Sequence, residues 1–341
     1  MTPRQITTEG EPLAEKVREF ASVGEGGANG IKPERMGMTV SAIIVNWNGG
    51  DFLRSCIASP YRELGGPLRE IIVLDNASSD QSVESVQYAF PALEIVRTGE
   101  NLGFAKANNL GILASQSDSV LLMNNDAVAN PGSIGSLVAV MEQDDRIGIV
   151  GPQLRNPDGS LQLSYGPFPS VLGVVGGFRA RKADRYYERT GYDNSHDVEW
   201  LTGACLLVRR RMLDEIGLLD ERFFFNYEDV DLCKRAHDRG WRCVYTPDAS
   251  VIHHRAMSSA NPEIEERILL EKRRSQLLYY RKHGSIESFY VIKAFNLVYV
   301  MLHLLWSECA AIANRGSTEQ GPGPQFYRRL LTTVWATGWS S

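Results

Sequence analysis

The segment VLLMNNDAVANP, residues 120–131, leads from an apolar run directly into three polar side chains. Residues 120–123 are typical of a strand that is buried on both faces. Asn124, Asn125 and Asp126 follow without a break. Ligands of open α/β sheets bind beyond the carboxyl ends of the strands, so this position predicts a ligand contact for Asp126. A structural alternative stays open, because an Asp after a strand also shapes turns or caps the next helix.

Residues 39–127 repeat this pattern of a short apolar run followed by a stretch with helical spacing. Such alternation predicts βαβ units, and hence an α/β fold with a parallel sheet covered by helices on both faces. The predicted strands lie in TVSAIIVNWN, EIIVLDNASSD, LEIVRTGENLGF and SVLLMNND, and the predicted helices in DFLRSCIASPY, SVESVQYAF and AKANNLGILAS. Three strands end in polar clusters, at residues 46–48, 75–76 and 124–126. We expect these clusters to line one crevice.

The composition is that of a soluble globular protein, with 43% apolar and 23% charged residues. A chain of 341 residues provides a core for one large domain or two modest ones. The net charge of −5 gives no indication of nucleic-acid binding. The five cysteines form no Cys-x-x-Cys pair, which predicts reduced thiols in a cytosolic protein rather than disulfides or a zinc site. We expect no signal peptide, because the first residues lack a continuous apolar segment.

A second concentration of reactive side chains lies in the second half of the chain. Glu228, Asp229 and Asp231 fall in the first turn of a predicted helix, next to the aromatic run FFFNY. The helix dipole alone favours acidic residues there, but apolar surroundings also raise the pKa of a carboxylate and make it a better base. Further on, WRCVYTPDASVIHH predicts two short strands that end at His253 and His254. We expect one of these histidines to face the crevice.

The sequence resembles family 2 glycosyltransferases of the GT-A fold, and their rhamnosyltransferase-like branch in particular, over about residues 39–283. The motifs that carry the resemblance are, in order, AIIVNWN, IIVLDNASSD, NLGFAKANN, VLLMNND, WLTGACLLVRR, FFFNYEDVDLCKRA and VIHHRAMSS. The resemblance implies a Rossmann-like nucleotide-binding sheet with helices on both faces, followed by a C-terminal helical extension. It also implies an inverting enzyme that moves a sugar from a nucleotide-diphosphate donor to a hydroxyl of a glycan or lipid-linked glycan in cell-surface polysaccharide synthesis.

Composition and the resemblance together suggest how the chain is divided. Residues 1–37, which are polar and rich in Gly, are predicted to form a flexible arm with one short helix near residues 13–20. Residues 38–285 are predicted to form the glycosyltransferase domain. We expect its nucleotide-sugar half at about residues 38–130 and its acceptor half at about residues 131–285.

A divalent cation, Mg²⁺ or Mn²⁺, is the cofactor that the resemblance implies. The metal motif of the family is Asp-x-Asp, and here Asn124 stands in place of its first aspartate. Asp126 is therefore the implied direct ligand, and Asn124 is expected to contact the donor sugar or a metal-bound water. His253 is the implied second ligand, with His254 as the reserve.

The remaining donor contacts are also implied by motif position. Asp75 matches the aspartate that accepts the N3–H of the nucleobase, which uracil and thymine both carry. The other expected donor-binding residues are Val45, Asn46 and Asn48 around the base and ribose, Asn101, Gly103, Ala105 and Asn108 below the ribose and diphosphate, and Asn124 with Asn125.

The acceptor side is assigned in the same way. Asp229 matches the general base that takes the proton of the acceptor hydroxyl, and Glu228 is the second choice. Trp200, Thr202 and Gly203 in WLTGA are expected to bind the acceptor, although a Trp before a strand is as often part of the core.

The donor sugar follows only from the branch of the family, which favours L-rhamnose from dTDP-L-rhamnose over the sugar of a UDP-sugar.

A sugar nucleotidyltransferase is a second hypothesis for the function, but VNWNGGDFLRS lacks the full pattern of its Gly-rich basic loop. The third is a non-catalytic protein that binds nucleotide sugars or carbohydrates, and donor hydrolysis or transfer would separate it from an enzyme.

The C-terminal region, residues 286–341, is predicted to be helical and follows a basic helix in EERILLEKRRSQLLYYRKHG. The apolar stretch SFYVIKAFNLVYVMLHLLWSECAAIA is interrupted by polar residues, which favours an interfacial or packed helix over a spanning one. One hypothesis is a cytoplasmic enzyme held peripherally at the inner face of the membrane, with a polyprenyl-diphosphate-linked sugar as acceptor. The alternative is that this stretch closes the protein's own core or a homodimer interface.

Overall fold

The computed structural model describes residues 37–93, 95–175, 191–255, 262–313 and 323–339. The short helix predicted near residues 13–20, and the predicted arm apart from Gly37, lie outside the described residues. Spatial contacts divide the chain into two compact units. As far as they are described, the first contains residues 37–168, 191–224 and 228–255, and the second contains residues 169–175, 225–227, 262–313 and 323–339.

The first unit alternates strands and helices through its first half. Its described strands are β1 (Val40–Asn46), β2 (Leu68–Asp75), β3 (Ile95–Arg97), β4 (Ser119–Asn124), β5 (Ala127–Ala129), β6 (Ile147–Arg155), β7 (Leu161–Gln162), β8 (Tyr165–Gly166), β9 (His196–Val198), β10 (Trp200–Leu201), β11 (Cys205–Arg209) and β12 (Arg242–His253). Its described helices are α1 (Gly50–Tyr61), α2 (Ser82–Ala89), α3 (Phe104–Ala114), α4 (Ser133–Met141), α6 (Arg210–Ile216) and α7 (Glu228–Asp238). The four strands and three helices predicted for residues 39–127 are all present.

The main sheet has the strand order β3-β2-β1-β4-β11-β6-β12-β5. Its first four strands are parallel, as the βαβ pattern predicts. The sheet then becomes mixed, because β11 is antiparallel to both β4 and β6, while β12 is parallel to β6. β7 and β9 pair with β6 and β12, and β8 and β10 form a separate two-stranded sheet.

Helices cover both faces of this sheet, which confirms the predicted architecture. Successive side chains of a strand point to opposite faces. Ile44 of β1 therefore packs in one core with Leu53 of α1 and Leu137 of α4. Its neighbour Ile43 packs in the other core, together with Ile112 of α3 and the buried residues of α6 and α7.

One element differs from its prediction. β12 is a single strand of twelve residues, where the sequence suggested two short strands. Its register with β6 shifts between Thr246 and Ser250, and Pro247 and Asp248 lie within this interval. Proline cannot donate to the ladder of a sheet and is tolerated at bulges. These turn-forming residues therefore interrupt the pairing locally without ending the strand.

The second unit is helical, with α5 (Val171–Val175), α8 (Pro262–His283), α9 (Ile286–Ala313) and α10 (Pro324–Ala336) among its described residues. In α9, residues 286–310 have a mean hydropathy of 1.5, which makes the helix long and apolar enough to cross a membrane by length and composition alone. These two measures do not distinguish a spanning helix from the interfacial or packed helix that the sequence favours.

Candidate active site

The carboxyl ends of β1, β2 and β4 lie side by side. In the register of these strands Asn46 is opposite Asp75, and Val45 is opposite Asn124. The three polar clusters that follow the strands are thus brought to one edge of the sheet, as the sequence predicts.

Asn46 fastens two of these clusters together. Its side chain is fully buried, and its Nδ2 donates hydrogen bonds to Ser78 Oγ at 2.9 Å and Ser82 Oγ at 3.0 Å. Its Oδ1 accepts a hydrogen bond from Asn125 Nδ2 at 2.9 Å. A Cβ atom on Gly49 would lie 2.4 Å from Asn46 Oδ1, so this close approach requires glycine. The side chains of Asn46 and Asn125 therefore hold the strand ends in place.

Asp75 is buried, and its Oδ1 accepts a hydrogen bond from the Ser78 N–H at 3.1 Å, which closes a turn after β2. Asn48 faces the same turn, because its Oδ1 accepts a hydrogen bond from the Ser79 N–H at 2.7 Å. The predicted base-binding residues of β1 and β2 therefore share one loop.

Asn76 connects this loop to the segment before α3. Its Nδ2 donates to Asn101 Oδ1 at 3.0 Å, and its Oδ1 accepts from the Leu102 N–H at 2.8 Å. Gly103 has a φ of +80°, and a Cβ atom there would lie 2.7 Å from Phe224 O. Asn101 and Gly103 are thus placed at the site edge by Asn76. Asn76 belongs to the second predicted polar cluster, but its sequence position alone gave it no binding role.

Asp126 and His253 face each other at the other side of this edge. β5 and β12 pair Ala127 with His253, which places the two side chains next to one another. Asp126 Oδ1 is 3.4 Å from His253 Nε2, and Asn124 Nδ2 is also 3.4 Å from that nitrogen. Both Asp126 and His253 are buried. Asp126 does not cap the following helix, because Gly132 occupies the N-cap of α4.

Gln162 selects the tautomer of the His253 ring. Its Nε2 donates to Asn156 Oδ1 at 2.7 Å and to the His253 carbonyl at 3.1 Å. Both of its amide hydrogens are therefore used, and its Oε1, 2.7 Å from His253 Nδ1, accepts the ring N–H. The neutral ring then presents the lone pair of Nε2 towards Asp126. Gln162 is not among the predicted site residues, and no local sequence pattern marks it.

This donor set fits a divalent cation. A carboxylate oxygen and an imidazole lone pair that face each other at 3.4 Å repel unless a proton or a cation lies between them. Mg²⁺ and Mn²⁺ accept carboxylate oxygens, and imidazole suits later first-row metals. Among the described residues, no group of three His, Cys, Asp or Glu side chains could hold a metal. The described protein groups thus amount to two ligands, and phosphate oxygens of a donor would complete the shell.

Cys56 of α1 supports the same loop from below. Its thiol donates a hydrogen bond to the Asn124 carbonyl at 3.2 Å. Burial, followed by the charge of Asp126, raises the pKa of Cys56 well above its usual value. Cys56 therefore remains a neutral thiol that can donate this hydrogen bond.

Asp229 lies in the first turn of α7 and is half-buried. Its Oδ2 accepts the Gly203 N–H at 2.8 Å, and its Oδ1 accepts the Val230 N–H at 2.7 Å. Burial raises the pKa of Asp229, and these two N–H groups act against that rise. Burial and then the charge of Asp229 raise the pKa of the neighbouring Glu228 well above its usual range.

The Asp229 carboxylate and the 124–126 loop are linked through one short backbone segment. Gly203 donates to Asp229, and the carbonyl of the next residue, Ala204, accepts the Asn124 N–H at 3.0 Å. The predicted base and the predicted metal loop are therefore held by two adjacent residues, Gly203 and Ala204. Gly203 is the member of the predicted acceptor set that contacts Asp229 directly.

Of the other two members of that set, Trp200 lies in β10 of the small sheet and Thr202 follows directly after β10. Trp200 Nε1 donates to the Pro167 carbonyl at 2.9 Å, and its indole ring covers Gly166. The Thr202 N–H donates to the Ser164 carbonyl at 2.8 Å. The Trp200 ring is thus partly used in packing, which is the structural alternative that the sequence left open.

Several predicted donor residues belong to the core. Val45 and Ala105 lie in the hydrophobic cluster that α3 covers. Asn108 is also buried, and its Nδ2 donates to the Phe104 carbonyl at 2.9 Å. The ring of His254, the reserve ligand, packs against Phe52 at 4.7 Å between centroids, whereas His253 faces Asp126.

Comparison with known proteins identifies the family of this site. The family described as Glycosyl transferase family 2 matches residues 41–217, just over half of the chain. The chain belongs to this family. Among the relatives of this glycosyltransferase is the N-acetylglucosaminyl-diphospho-decaprenol L-rhamnosyltransferase of Mycobacterium tuberculosis. It is 34% identical in an alignment of 235 positions that covers 64% of this chain and 76% of the relative. The low-salt glycan biosynthesis hexosyltransferase Agl10 of Haloferax volcanii is 24% identical and covers 69% of this chain and 73% of its own.

Solved structures show that this family 2 glycosyltransferase has the GT-A fold. It superposes on the mannosyltransferase PcManGT of Pyrobaculum calidifontis, solved with GDP-Man and Mn²⁺, with a TM-score of 0.51 over 95% of this chain and 92% of that one. GalNAc-T7, solved with UDP, GalNAc and Mn²⁺, also gives 0.51, over 77% of this chain and 55% of that one. Both are 16% identical to this chain, so they show the fold alone. The predicted family, fold class and enzyme class are confirmed.

Proposed function

We propose that this glycosyltransferase moves L-rhamnose from dTDP-L-rhamnose to a hydroxyl of a polyprenyl-diphosphate-linked sugar, as a step in cell-surface polysaccharide synthesis. The relative that is 34% identical is named for L-rhamnosyl transfer onto N-acetylglucosaminyl-diphospho-decaprenol, and this chain covers 76% of its length. The proposed glycosyl transfer rests on one structural observation. Gly203 and Ala204, which are adjacent in the chain, hydrogen-bond to Asp229 and to the 124–126 loop, so the proposed base and the proposed metal loop are held together.

Asp229 is proposed to take the proton of the acceptor hydroxyl. Each of its oxygens accepts one backbone N–H and keeps a second lone-pair direction for the acceptor. The hydroxyl oxygen then forms its bond to the anomeric carbon as the bond to the diphosphate breaks, so that one displacement inverts the configuration. A positioned base of this kind contributes roughly 10²–10⁴ in rate.

Glu228 is not the proposed base. Its raised pKa and its burial favour the neutral acid, since two adjacent carboxylates in an apolar setting do not both ionise readily. The proposed role of Glu228 is to remain protonated behind Asp229 and so leave the single negative charge on Asp229.

Asp126 and His253 are the residues that would hold Mg²⁺ or Mn²⁺. A cation bound there would offset the charge that develops on the leaving diphosphate. Asn124 adjoins both ligands and is proposed to donate a hydrogen bond to the donor. The nucleoside and diphosphate are proposed to bind at the sheet edge where Asn76 joins the loop after β2 to the segment before α3. The proposed contacts are Asn48, Asp75, Asn101 and Gly103.

The proposed acceptor is lipid-linked, and the proposed location is therefore the cytoplasmic face of the membrane. We propose the sequence-derived boundaries for the two functional parts, with a transferase domain at residues 38–285 and a membrane-associated helical region at residues 286–341. α9 and α10 belong to the second described unit, as this division requires, but α8, which the division assigns to the transferase domain, belongs to that unit too.

A transfer assay with the full-length enzyme tests the proposal. The acceptor is N-acetylglucosaminyl diphosphate on a short polyprenyl chain, and the donors are dTDP-L-rhamnose, UDP-glucose and UDP-N-acetylglucosamine, each with Mn²⁺. We expect transfer from dTDP-L-rhamnose alone, with an anomeric configuration opposite to that of the donor by NMR. Transfer from a UDP-sugar alone would show that the donor is wrong. Neither transfer nor donor hydrolysis would indicate a binding protein.

A further inference from the structure

Helix α9 exposes large apolar side chains on the side where a helix of a water-soluble bundle is polar. Its buried face carries Phe289, Ile292 and Val300, each 0% exposed, and also the polar Asn296 and Ser307, at 0% and 3%. Its outward face carries the large apolar side chains of Tyr290, Val291, Val298, Met301, Leu302, Leu305 and Trp306, each between 46% and 67% exposed. We call this outward set the apolar stripe.

The polar side chains of α9 form hydrogen bonds within the second unit. Asn296 Nδ2 donates to Gln276 Oε1 at 3.0 Å, and Asn296 Oδ1 accepts from Arg273 of α8 at 3.1 Å. Lys293 Nζ donates to the carbonyls of Trp335 and Thr337, at 2.8 Å and 2.7 Å, and so joins α9 to the end of α10. These contacts determine which side of α9 faces outward, and the outward side is the apolar stripe.

The dimensions of the apolar stripe match a lipid environment. From Tyr290 to Trp306 it extends for about 24 Å at 1.5 Å per residue, and none of its members carries a charge. Monomeric soluble proteins rarely expose a continuous apolar patch of this kind. Trp306, and Trp335 on α10, are 67% and 72% exposed, and tryptophan favours the boundary between lipid and water.

The helices that pack against α9 bear on whether it spans a bilayer or lies in the interface. α10 lies along α9, with Arg328 Nη2 donating to Glu308 Oε1 at 2.7 Å near one end and the Lys293 contacts near the other. The side chains of Arg328 and Arg329 are 66% and 61% exposed. A spanning α9 would carry Arg273, which donates to Asn296 near the middle of the helix, into the hydrocarbon, where charged groups are costly. An α9 that lies in the plane of the interface leaves Arg273, Arg328 and Arg329 outside the hydrocarbon.

The charge of the three helices favours an anionic surface. α8, α9 and α10 together contain nine Lys and Arg against six Asp and Glu, whereas the whole chain has a net charge of −5. A second copy of the chain would bring the same positive charge to the contact, while anionic head groups are complementary to it.

We infer that α9 lies in the plane of an anionic lipid bilayer, with the apolar stripe buried at the boundary between head groups and acyl chains. The inference depends on the proposed function only for the expectation of a lipid-linked acceptor. It is tested without donor or acceptor, so its failure is distinguishable from a failure of the proposed reaction.

Vesicle flotation of the full-length protein tests the binding. We expect it to float with vesicles of phosphatidylglycerol and phosphatidylethanolamine at low salt, and the double variant Leu302→Glu, Leu305→Glu to lose at least about tenfold in partition coefficient. Tyr88→Glu is the matched control, because Tyr88 is 93% exposed on the first unit and lies outside the stripe. Thermal melting should be unchanged in both variants, since the substituted side chains are exposed.

A depth measurement tests the orientation. Cys309 is exposed and the other four cysteines are buried, so a nitroxide label can be attached to the native chain at Cys309. Labels at Val291→Cys and Val298→Cys are made in a Cys309→Ser background. In vesicle-bound protein we expect the three positions to have the same oxygen accessibility within about twofold, as an interfacial helix requires.

Three results would overturn the inference. The first is full-length protein that ignores anionic vesicles at low salt. The second is a dimer in solution that the stripe variant converts to a monomer, which would assign the stripe to a second copy. The third is a label at residue 298 that lies much deeper than labels at residues 291 and 309, which would indicate a spanning helix.

Discussion

The Nδ1–H group of His253 donates a hydrogen bond to Gln162 Oε1 at 2.7 Å, and this contact joins two residues that are 91 positions apart. It makes Nε2 the unprotonated nitrogen of the neutral ring, and Nε2 is the atom that faces Asp126. An outer partner that fixes the tautomer of a metal-binding histidine commonly affects metal affinity by 10- to 100-fold.

Gln162→Leu should therefore weaken Mn²⁺ binding to the enzyme with bound dTDP by roughly tenfold or more. Calorimetric titration of Mn²⁺ measures the affinity, and ¹⁵N NMR of the imidazole in the metal-free protein should show a mixture of tautomers. Gln153→Leu is the matched control, because Gln153 is also buried but bonds to Tyr245 Oη. An unchanged Mn²⁺ affinity in Gln162→Leu would remove the positioning role.

Asp126→Ala should abolish the cation dependence of dTDP binding, because it removes the only described carboxylate that faces His253 Nε2. His253→Ala should reduce that dependence less, since the charged ligand remains. Calorimetric titration of dTDP, with Mn²⁺ and with a chelator, tests both variants. If wild-type protein binds dTDP equally well with the chelator present, Asn124 marks a metal-independent variant of the motif and the cation proposal is wrong.

Asp229→Asn should reduce turnover by at least about a hundredfold while donor affinity stays within about twofold. Its amide oxygen can still accept one backbone N–H, so the fold should persist. Asp238→Asn, at the other end of α7, is the matched control. The base is active only when ionised, so wild-type turnover should fall as pH decreases through a pKa that burial has raised. Near-normal turnover in Asp229→Asn would transfer the role to Glu228.

Glu228→Gln should increase the free energy of unfolding at pH 7. The folded-state pKa of Glu228 is raised, so above its ordinary value of 4.5 the unfolded chain releases a proton that the folded protein retains. The free energy of unfolding of the wild-type protein therefore decreases as pH rises from 4.5 towards the folded-state pKa of Glu228. Glutamine does not titrate, so the variant does not show this decrease. Urea unfolding at pH 4 and pH 7 measures the difference, which should vanish at the lower pH. A variant less stable than wild type at pH 7 would contradict a protonated Glu228.

The predictable parts of this protein are those that depend on local sequence. The alternation from β1 to β4 follows from apolar periodicity, and the strand-end position of Asp126 follows from the same pattern. The antiparallel β11 and the placement of Gln162 depend on pairings between distant segments, which periodicity does not encode. The side chain of Asn46 has the predicted position, but its three hydrogen bonds hold neighbouring loops.

Gly49→Ala should reveal how far the site depends on that arrangement. The φ of Gly49 is −77°, so alanine is not strained in its backbone. Its added Cβ would instead lie 2.4 Å from Asn46 Oδ1 and 2.7 Å from Asn125 Nδ2, and must separate the pair that joins β1 to the 124–126 loop. We expect a loss of about 1–3 kcal/mol in the free energy of unfolding, typical of overpacking, and weaker dTDP binding. Gly135→Ala is the control, because a methyl group added at Gly135 would have no neighbouring atom within 4 Å. Equal stability and dTDP affinity in the two variants would show that the Asn46–Asn125 contact is dispensable.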